Sequence, residues 1–337
     1  MTRNFETMPE RLAGNKEVLE SHAFLRDLKA EAMHAKRLVI AQAMAIENDS
    51  VGQELLTIFN AVPQHVRKEL YVDSWSQMVH GDRIHAWDKA LFPEQAAQMK
   101  KNQDDIFERF RALGTDVHFT NQPKNAWVPF FPFLDRNHVK GFDIDGRVFY
   151  LGGINYSDEL LERADFMVKF TGPVAKKLSD TFADLHAGRI ESDTQISLDE
   201  YSDLCIDSGK PGESIILNRA VNLVGHAEES VESASVFLPD GQLSSALAAA
   251  QKKGVHTEVA TSGVPHKLKD WGLNTDSVMH LVDVVSRVRN FLSRNKVTVL
   301  ETPFRGVHAK LLIVDGKHAY FGSHNLAESG VKAGTEE

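Results

Sequence analysis

One eighteen-residue pattern occurs twice in the chain and constrains its fold more than any other feature. Residues 138–155 read HVKGFDIDGRVFYLGGIN, and residues 308–325 read HAKLLIVDGKHAYFGSHN. Both copies contain His-x-Lys, four further residues, Asp-Gly, five further residues and Gly-x-x-Asn, and seven of the eighteen positions are identical. At average residue usage, one chance copy of five fixed residues is expected in roughly one chain in ten thousand. Two copies 170 residues apart therefore indicate a duplicated structural unit.

Segments typical of strands and helices alternate around each copy. In the first half, residues 37–46, 68–75 and 116–120 read as strands, and residues 15–36, 51–62 and 86–112 read as helices. In the second half, residues 234–239, 254–262 and 296–301 read as strands, and residues 241–253 and 276–295 read as helices. A further strand and helix follow the first copy over residues 165–188. This alternation predicts an α/β fold with a largely parallel sheet.

The duplication predicts two similar domains. We expect an N-terminal domain over residues 1–190 with the first motif, a polar linker at 191–214, and a C-terminal domain over 215–337 with the second motif. The chain ends at GTEE soon after the second motif. We therefore expect the C-terminal domain to be truncated, without the strand and helix that follow the first motif.

The spacing within each copy brings reactive groups together. Residues i and i+2 of a strand point to the same face, so His138 projects with Lys140, and His308 with Lys310. The Asp-Gly pairs are typical of hairpin turns, and the small residues that follow bring Asn155 or Asn325 towards the same point. If the copies pair about a pseudo-twofold axis, they form a site for an anionic phosphoryl group.

These residues resemble the phospholipase D superfamily, whose signature is a duplicated His-Lys-Asp motif. Within it, the run RNHVKGFDIDGRVFYLGGIN, the Gly-Gly and Gly-Ser motif endings, and the later ADFMVKFTGPVAKKL are similar to bacterial cardiolipin synthases. The resemblance implies two phospholipase D-like α/β sandwich domains related by a pseudo-twofold axis, with the active site at their interface.

The resemblance also implies roles for individual residues. The catalytic set consists of His138, Lys140, Asp145, His308, Lys310 and Asp315. His138 is the expected nucleophile, which forms a phosphohistidine, and His308 the expected acid and base. The two lysines would stabilise charge on the phosphoryl oxygens, so no metal or cofactor is expected. Of the six, Asp145 and Asp315 are expected to stabilise turns rather than take part in the chemistry.

Two further groups of side chains complete the predicted site. Asn155, Asn325 and Ser323 would bind the substrate phosphate. Each histidine needs a carboxylate that holds its second ring nitrogen. The resemblance implies an acidic residue shortly after each motif, which makes Asp165 and Glu336 the candidates, with Glu337 as an alternative to Glu336.

The resulting interpretation is a phosphatidyltransferase that acts on a phospholipid such as phosphatidylglycerol. One alternative is a metal-independent nuclease or other phosphodiesterase of the same superfamily, and another is an inactive, truncated binding protein. A net charge of −9, from 38 basic and 47 acidic side chains, disfavours broad nucleic-acid binding.

Two features that the sequence lacks bear on the expected cellular location of the protein. The N-terminal segment lacks the apolar core of a signal peptide, and the longest apolar stretch, residues 127–134, is too short to span a bilayer. We expect a cytoplasmic protein, and a peripheral position on the inner face of the membrane is an alternative that stays open. Four aromatic residues lie in that apolar stretch, and they either contact acyl chains or pack on the core as a loop: Trp127, Phe130, Phe131 and Phe133. The single cysteine, Cys205, excludes an internal disulfide.

Overall fold

A computed structural model describes residues 16–80, 83–122, 136–210, 212–262, 299–302, 306–328 and 331. The strands are β1 (Lys16–Glu20), β2 (Leu38–Ala43), β3 (Arg67–Asp73), β4 (Val79–His80), β5 (Arg83–Ile84), β6 (Thr115–Thr120), β7 (Gly141–Ile144), β8 (Val148–Gly152), β9 (Phe166–Thr171), β10 (Thr194–Asp199), β11 (Ser202–Ile206), β12 (Ser230–Ser235), β13 (His256–Ser262), β14 (Val299–Thr302), β15 (Leu311–Val314) and β16 (His318–Phe321). The helices are α1 (Ser21–Ala32), α2 (Ser50–Ala61), α3 (Trp75–Met78), α4 (His85–Leu91), α5 (Pro93–Ala112), α6 (Asp158–Leu161), α7 (Pro173–His186), α8 (Ile215–Gly225) and α9 (Gly241–Lys252).

The same five-strand arrangement occurs in both halves of the chain. The first sheet has the order β1-β9-β8-β7-β2-β3-β6, and the second has the order β14-β13-β12-β15-β16. In each, three strands run parallel (β2, β3 and β6; β12, β13 and β14), and the first strand of the motif hairpin (β7; β15) pairs antiparallel with the neighbouring parallel strand (β2; β12). This confirms the expected α/β fold with its duplicated motif. The expectation of a largely parallel sheet was wrong, because the motif hairpins, β9 and β1 add antiparallel pairs and make the sheets mixed. The twofold relation between the halves stays a prediction.

Helices cover the sheets and form the cores. In the first half, α1, α2 and α5 pack on one face, where Val39 and Ala41 of β2 are fully buried, and α7 packs on the other against β8 and β9. In the second half, α8 and α9 supply the core side chains that meet Val231 and Val259. The two motif hairpins are therefore held within packed sheets.

Two expectations for the first half were wrong in detail. Helical periodicity over residues 15–36 predicts one helix, but Lys16–Glu20 form β1, because they pair with β9 about 150 residues away. The long helix over 86–112 is two helices, because Pro93 begins α5 and has no N–H to continue α4.

Two expectations for the second half also need correction. The strand placed at 234–239 lies at Ser230–Ser235, where it pairs with β13 and β15, and Val236–Leu238 are buried beyond its end. The polar segment 191–214 contains an antiparallel hairpin, β10–β11, rather than only loop. The helix expected at 276–295, the aromatic stretch 127–134, and Glu336 and Glu337 lie outside the described residues.

The two halves contact each other directly. Phe321 of β16 packs on Phe166 and Phe170 of β9, with ring centroids 6.0 and 6.5 Å apart. A single parallel bridge joins Ala164 to Val307 beside this contact. Both contacts lie close in sequence to residues of the predicted site, so the interface and the site are adjacent.

The motif aspartates hold the turn end of each hairpin. Asp145 has φ of 60° and Gly146 has φ of 65°, which is the geometry of a type I′ turn. The Asp145 carboxylate accepts hydrogen bonds from the backbone N–H groups of Lys36, Arg37 and Leu38 at 2.7–2.8 Å, and so fixes the start of β2. In the second half, Asp315 accepts from three consecutive backbone N–H groups, at Glu228, Glu229 and Ser230.

This anchoring yields a stability prediction. Asp145→Ala should lower the free energy of unfolding by about 1–2 kcal/mol, because three backbone donors lose their acceptor. Urea unfolding of the variant measures the change, with Asp180→Ala, at an exposed ion pair of α7, as the control. Turnover below the unfolding transition should be unchanged. A loss of turnover at unchanged stability would instead give Asp145 a direct part in the chemistry.

Candidate active site

The first residues of each motif lie where the motif hairpin begins. His138 and Lys140 precede β7, and His308 and Lys310 precede β15, so both pairs lie at the carboxyl ends of the neighbouring parallel strands. The lysines are 1% and 2% exposed. Each folds back on its own histidine: Lys140 Nζ donates to the His138 carbonyl, and Lys310 Nζ donates to the His308 carbonyl at 2.6 Å. Buried positive charge therefore lies beside each imidazole.

A carboxylate of the first half holds the histidine of the second half. His308 Nδ1 lies 2.6 Å from Asp165 Oδ2, and the side chains are 12% and 1% exposed. The backbone strengthens this contact, because the Ala164 carbonyl accepts from the N–H groups of His308 and Ala309 at 3.0 and 2.9 Å. The Phe166 N–H donates to Asp165 Oδ1 at 2.8 Å. Asp165 thus lies against His308 and not against the histidine of its own motif.

The pair fixes the tautomer of His308. Burial opposes ionisation of Asp165, but the hydrogen bond from His308 and the charges of His308 and Lys310 keep the pKa of its carboxyl below the usual value. An ionised Asp165 accepts the Nδ1–H of His308, which directs Nε2 away from the carboxylate. Lys310 Nζ lies 3.2 Å from each ring nitrogen of His308.

The charges of the two halves act on one another. Burial lowers the pKa of His138 well below its usual value, and Lys140, Lys310, His324 and His308 lower it further. Burial and the charge of Lys310 lower the pKa of His308 to about 4, against the opposing effect of Asp165. Groups from both motifs therefore share one electrostatic environment, which favours the neutral form of both imidazoles.

The motif endings differ for a steric reason. A Cβ on Gly153 would lie 2.6 Å from Asp165 Oδ2, closer than real Cβ atoms approach. The corresponding residue of the second copy, Ser323, is half-buried. Glycine in the first copy therefore leaves room for the carboxylate that holds His308.

The motif asparagines are buried near the strand ends. Asn155 is 3% exposed, and its side-chain oxygen accepts from the Ala45 N–H at 3.1 Å. Asn325 is 5% exposed, and its backbone carbonyl accepts from Ser235 Oγ at 3.1 Å. Asp145 and Asp315, by contrast, lie at the turn ends of the hairpins, away from both histidines, so their geometry favours a structural role over a catalytic one.

Two buried pairs beside the motifs are absent from the sequence-based set. Arg136 Nη1 lies 2.6 Å from Asp73 Oδ1, and burial raises the pKa of Asp73 to about 6 against the opposing charge of Arg136. His324 Nε2 lies 3.5 Å from Asp207 Oδ2, and both side chains are almost fully buried. The sequence carries two signals for the Asp73–Arg136 pair. Arg136 lies two residues before the motif, and Asp73 is an acidic residue at the end of a buried strand.

The described part of the chain contains neither a metal-binding cluster nor a membrane-spanning helix. Within those residues, no group of three or more His, Cys, Asp or Glu side chains is placed to hold a metal ion. No helix among them is both long and apolar enough to cross a bilayer.

Comparisons with known proteins identify relatives of the chain. The family described as "Cardiolipin synthase, PLD-like domain" matches residues 221–337. Cardiolipin synthase A of Pseudomonas syringae pv. syringae (strain B728a) is 26% identical over 87% of this chain and 57% of its own length. Cardiolipin synthase of Clostridium perfringens (strain SM101) is 22% identical over 91% of this chain and 62% of its own length, and cardiolipin synthase 1 of Staphylococcus aureus (strain COL) is 25% identical over 83% and 59%.

Solved structures share the fold. Phosphatidylserine synthase of Haemophilus influenzae Rd KW20 superposes with a TM-score of 0.59 at 16% identity, covering 89% of this chain and 76% of the other. Polyphosphate kinase from Porphyromonas gingivalis gives a TM-score of 0.52 at 14% identity, covering 91% and 45%.

The chain is thus similar to the phospholipase D superfamily, through the PLD-like domain match over residues 221–337. Over most of its length it is similar to the cardiolipin synthases named above. It spans between 57% and 62% of the length of these three relatives.

The close approach at Gly153 gives a prediction for the site. Gly153→Ala should displace Asp165 from His308 and lower turnover by roughly 10- to 100-fold, because small misplacements of catalytic groups are costly. Gly225→Ala is the matched control, since a Cβ there meets nothing within 4 Å. The turnover rate is measured for both variants, and circular dichroism checks that both are folded. Equal turnover of the two variants would contradict the steric explanation.

Proposed function

We propose that the chain catalyses phosphatidyl transfer on a phospholipid of the phosphatidylglycerol type. The product would be cardiolipin when a second lipid is the acceptor. The relatives named above support this reaction, and so does the pairing of a neutral, buried imidazole with one that has a carboxylate partner. The substrate lies in a bilayer, so we also propose that the chain works at a membrane surface on the cytoplasmic side.

In the first step, a ring nitrogen of His138 attacks the phosphorus of the lipid phosphodiester. A phosphorus–nitrogen bond forms and the bond from phosphorus to the headgroup oxygen breaks. Protonated His308 gives its Nε2 proton to the departing glycerol oxygen. The diacylglycerol phosphate then remains attached to His138 as a phosphohistidine.

In the second step, neutral His308 removes the proton from the acceptor hydroxyl. The acceptor oxygen attacks phosphorus, and the phosphorus–nitrogen bond to His138 breaks. A glycerol hydroxyl of a second phosphatidylglycerol gives cardiolipin, whereas water gives phosphatidic acid. Together, the two steps return His138 and His308 to their starting states.

The positive charge beside the histidines suits an anionic substrate. Lys140 and Lys310 would neutralise the non-bridging phosphoryl oxygens, and Asn155, Asn325 and Ser323 would donate hydrogen bonds to them. Binding of the phosphodiester adds negative charge next to His308. That charge opposes the effect of the lysines, which lower the pKa of this histidine, and favours the protonated form that the first step requires.

One observation carries the assignment of roles, the contact of 2.6 Å between His308 and Asp165. An ionised carboxylate stabilises an imidazolium, so His308 suits the acid and base. Burial and the neighbouring positive charges lower the pKa of His138 and favour the neutral form that a nucleophile needs.

The proposed function is tested by lipid conversion. The chain is incubated with phosphatidylglycerol vesicles in the presence of a chelator, and the products are identified by mass spectrometry. We expect cardiolipin and glycerol, and a loss of at least ~10³-fold for His138→Ala, because removal of a nucleophile abolishes the covalent route. His226→Ala, in an exposed histidine that follows α8, is the control.

Three outcomes decide the proposal. Phosphatidic acid instead of cardiolipin would keep the histidine chemistry but change the acceptor to water. Full turnover by His138→Ala would contradict the nucleophile. A folded chain with no lipid product would contradict the phospholipid substrate, and cleavage of single-stranded DNA in chelator would then favour a nuclease.

The pH dependence tests Asp165. Asp165→Asn removes the negative charge that favours the imidazolium, so the pKa of His308 should fall and turnover should drop ~10²- to 10⁴-fold. The acid form of His308 would then be lost at lower pH, and the basic limb of the kcat profile should move to lower pH. Asp180→Asn, which also removes one negative charge at the surface, should leave the profile in place. An unshifted basic limb in Asp165→Asn would contradict the role of this carboxylate.

A further inference from the structure

A buried ion pair ties the first motif to the ends of two strands. The Asp73 side chain at the end of β3 is 0% exposed, and that of Arg136 is 1% exposed. Arg136 Nη1 lies 2.6 Å from Asp73 Oδ1 and donates to Ser74 Oγ at 2.9 Å, and Nη2 donates to the Asn121 carbonyl at 3.3 Å. Because Asn121 follows β6, the guanidinium connects the ends of β3 and β6.

The same carboxylate also holds the backbone next to His138. Asp73 Oδ2 accepts from the Asn137 N–H at 2.7 Å. The Asn137 side-chain oxygen in turn accepts from the Val139 N–H at 3.0 Å and from Gln42 Nε2 at 3.2 Å. Hydrogen bonds therefore fix the chain immediately before and immediately after His138, all within buried or half-buried surroundings.

The second half positions its histidine in another way. At the place of Arg136, 170 residues on, the chain has Gly306, which has no side chain to form such a pair. Instead, the Gly306 carbonyl accepts from the Ala164 N–H at 3.0 Å, and the Ala164 carbonyl accepts from the His308 N–H at 3.0 Å. His308 is thus positioned by the backbone and carboxylate of the opposite half, and His138 by an ion pair within its own half.

We propose that Asp73 and Arg136 form a positioning pair that sets the location of the His138 imidazole. The pair touches neither substrate nor reacting atoms, and acts through the segment 136–139. A carboxylate with bonds to both Arg136 and Asn137 fixes the direction in which the chain enters the motif. The proposal rests on the proposed function for its effect on turnover, but its effect on His138 is independent of substrate.

Replacing only Asp73 or only Arg136 would leave the charge of the other residue buried without its partner, so the informative variant replaces both. Asp73→Leu combined with Arg136→Met fills the volume with apolar side chains and removes the bonds that the pair itself makes to the segment. The hydrogen bonds of the Asn137 side chain to Val139 and Gln42 remain, and circular dichroism checks the fold. We expect kcat for phosphatidylglycerol to fall at least tenfold with little change in KM, because the nucleophile and not the lipid is displaced. Arg136→Lys, which retains the charge but not the two-pronged geometry, should show a smaller loss.

A spectroscopic readout separates positioning from general damage. In the full chain labelled with ¹⁵N-histidine, the ring resonances of His138 and His308 are assigned with His138→Gln and His308→Gln variants. The double variant should shift the His138 resonances and leave those of His308 unchanged. The control is Lys16→Met combined with Asp199→Leu, which removes another ion pair of 2.6 Å, between β1 and β10, and should shift neither.

The outcomes are distinguishable from failure of the proposed function. Should the unmodified chain convert no lipid, the ring resonances still report whether the pair positions His138. Unchanged His138 resonances in a folded double variant would overturn the proposal, as would wild-type kcat in that variant. Equal shifts at His138 and His308 would also overturn it, because they would indicate a general loss of packing.

Discussion

The hydrogen bond between His308 and Asp165 is the contact on which the site depends. It joins a histidine of the second sheet to a carboxylate just before β9 of the first, and both side chains are nearly excluded from solvent. The glycine at position 153 leaves room for it, and the backbone pairing of Ala164 with residues 306–309 and the aromatic contact of Phe321 with β9 support the same interface. Because a buried carboxylate needs a partner, this part of the site is complete only when the two halves pack together.

Local pattern predicted those parts of the fold that local interactions determine. The motif hairpins form as the Asp-Gly turns predict, and the helix predicted over residues 51–62 forms at Ser50–Ala61, capped by the Asp49 side chain. The errors arise where contacts with residues distant in the sequence determine the secondary structure. The first strand depends on pairing with β9, and the position of β12 depends on two neighbouring strands. Pro93, by contrast, was a local signal for the break between α4 and α5.

For the site, sequence spacing identified the residue types but not how they are paired. Asp165 follows the first motif, yet it lies against the histidine of the second, and no periodicity within one half carries that information. Asp73 and Arg136 are also far apart in the chain, separated by 63 positions. They form their ion pair only when β3 and the segment before the first motif come together. The two halves thus share a motif and a topology but hold their histidines by different means, which suits two imidazoles with different tasks.

The direct test of these different tasks is to map the covalent intermediate. The chain is mixed with phosphatidylglycerol vesicles, quenched within the first turnovers, digested at neutral to alkaline pH to preserve phosphoramidate bonds, and examined by mass spectrometry. We expect a phosphatidyl adduct on the peptide that contains His138 and none on the peptide that contains His308. An adduct on His308, or cardiolipin formed with no histidine adduct, would contradict it.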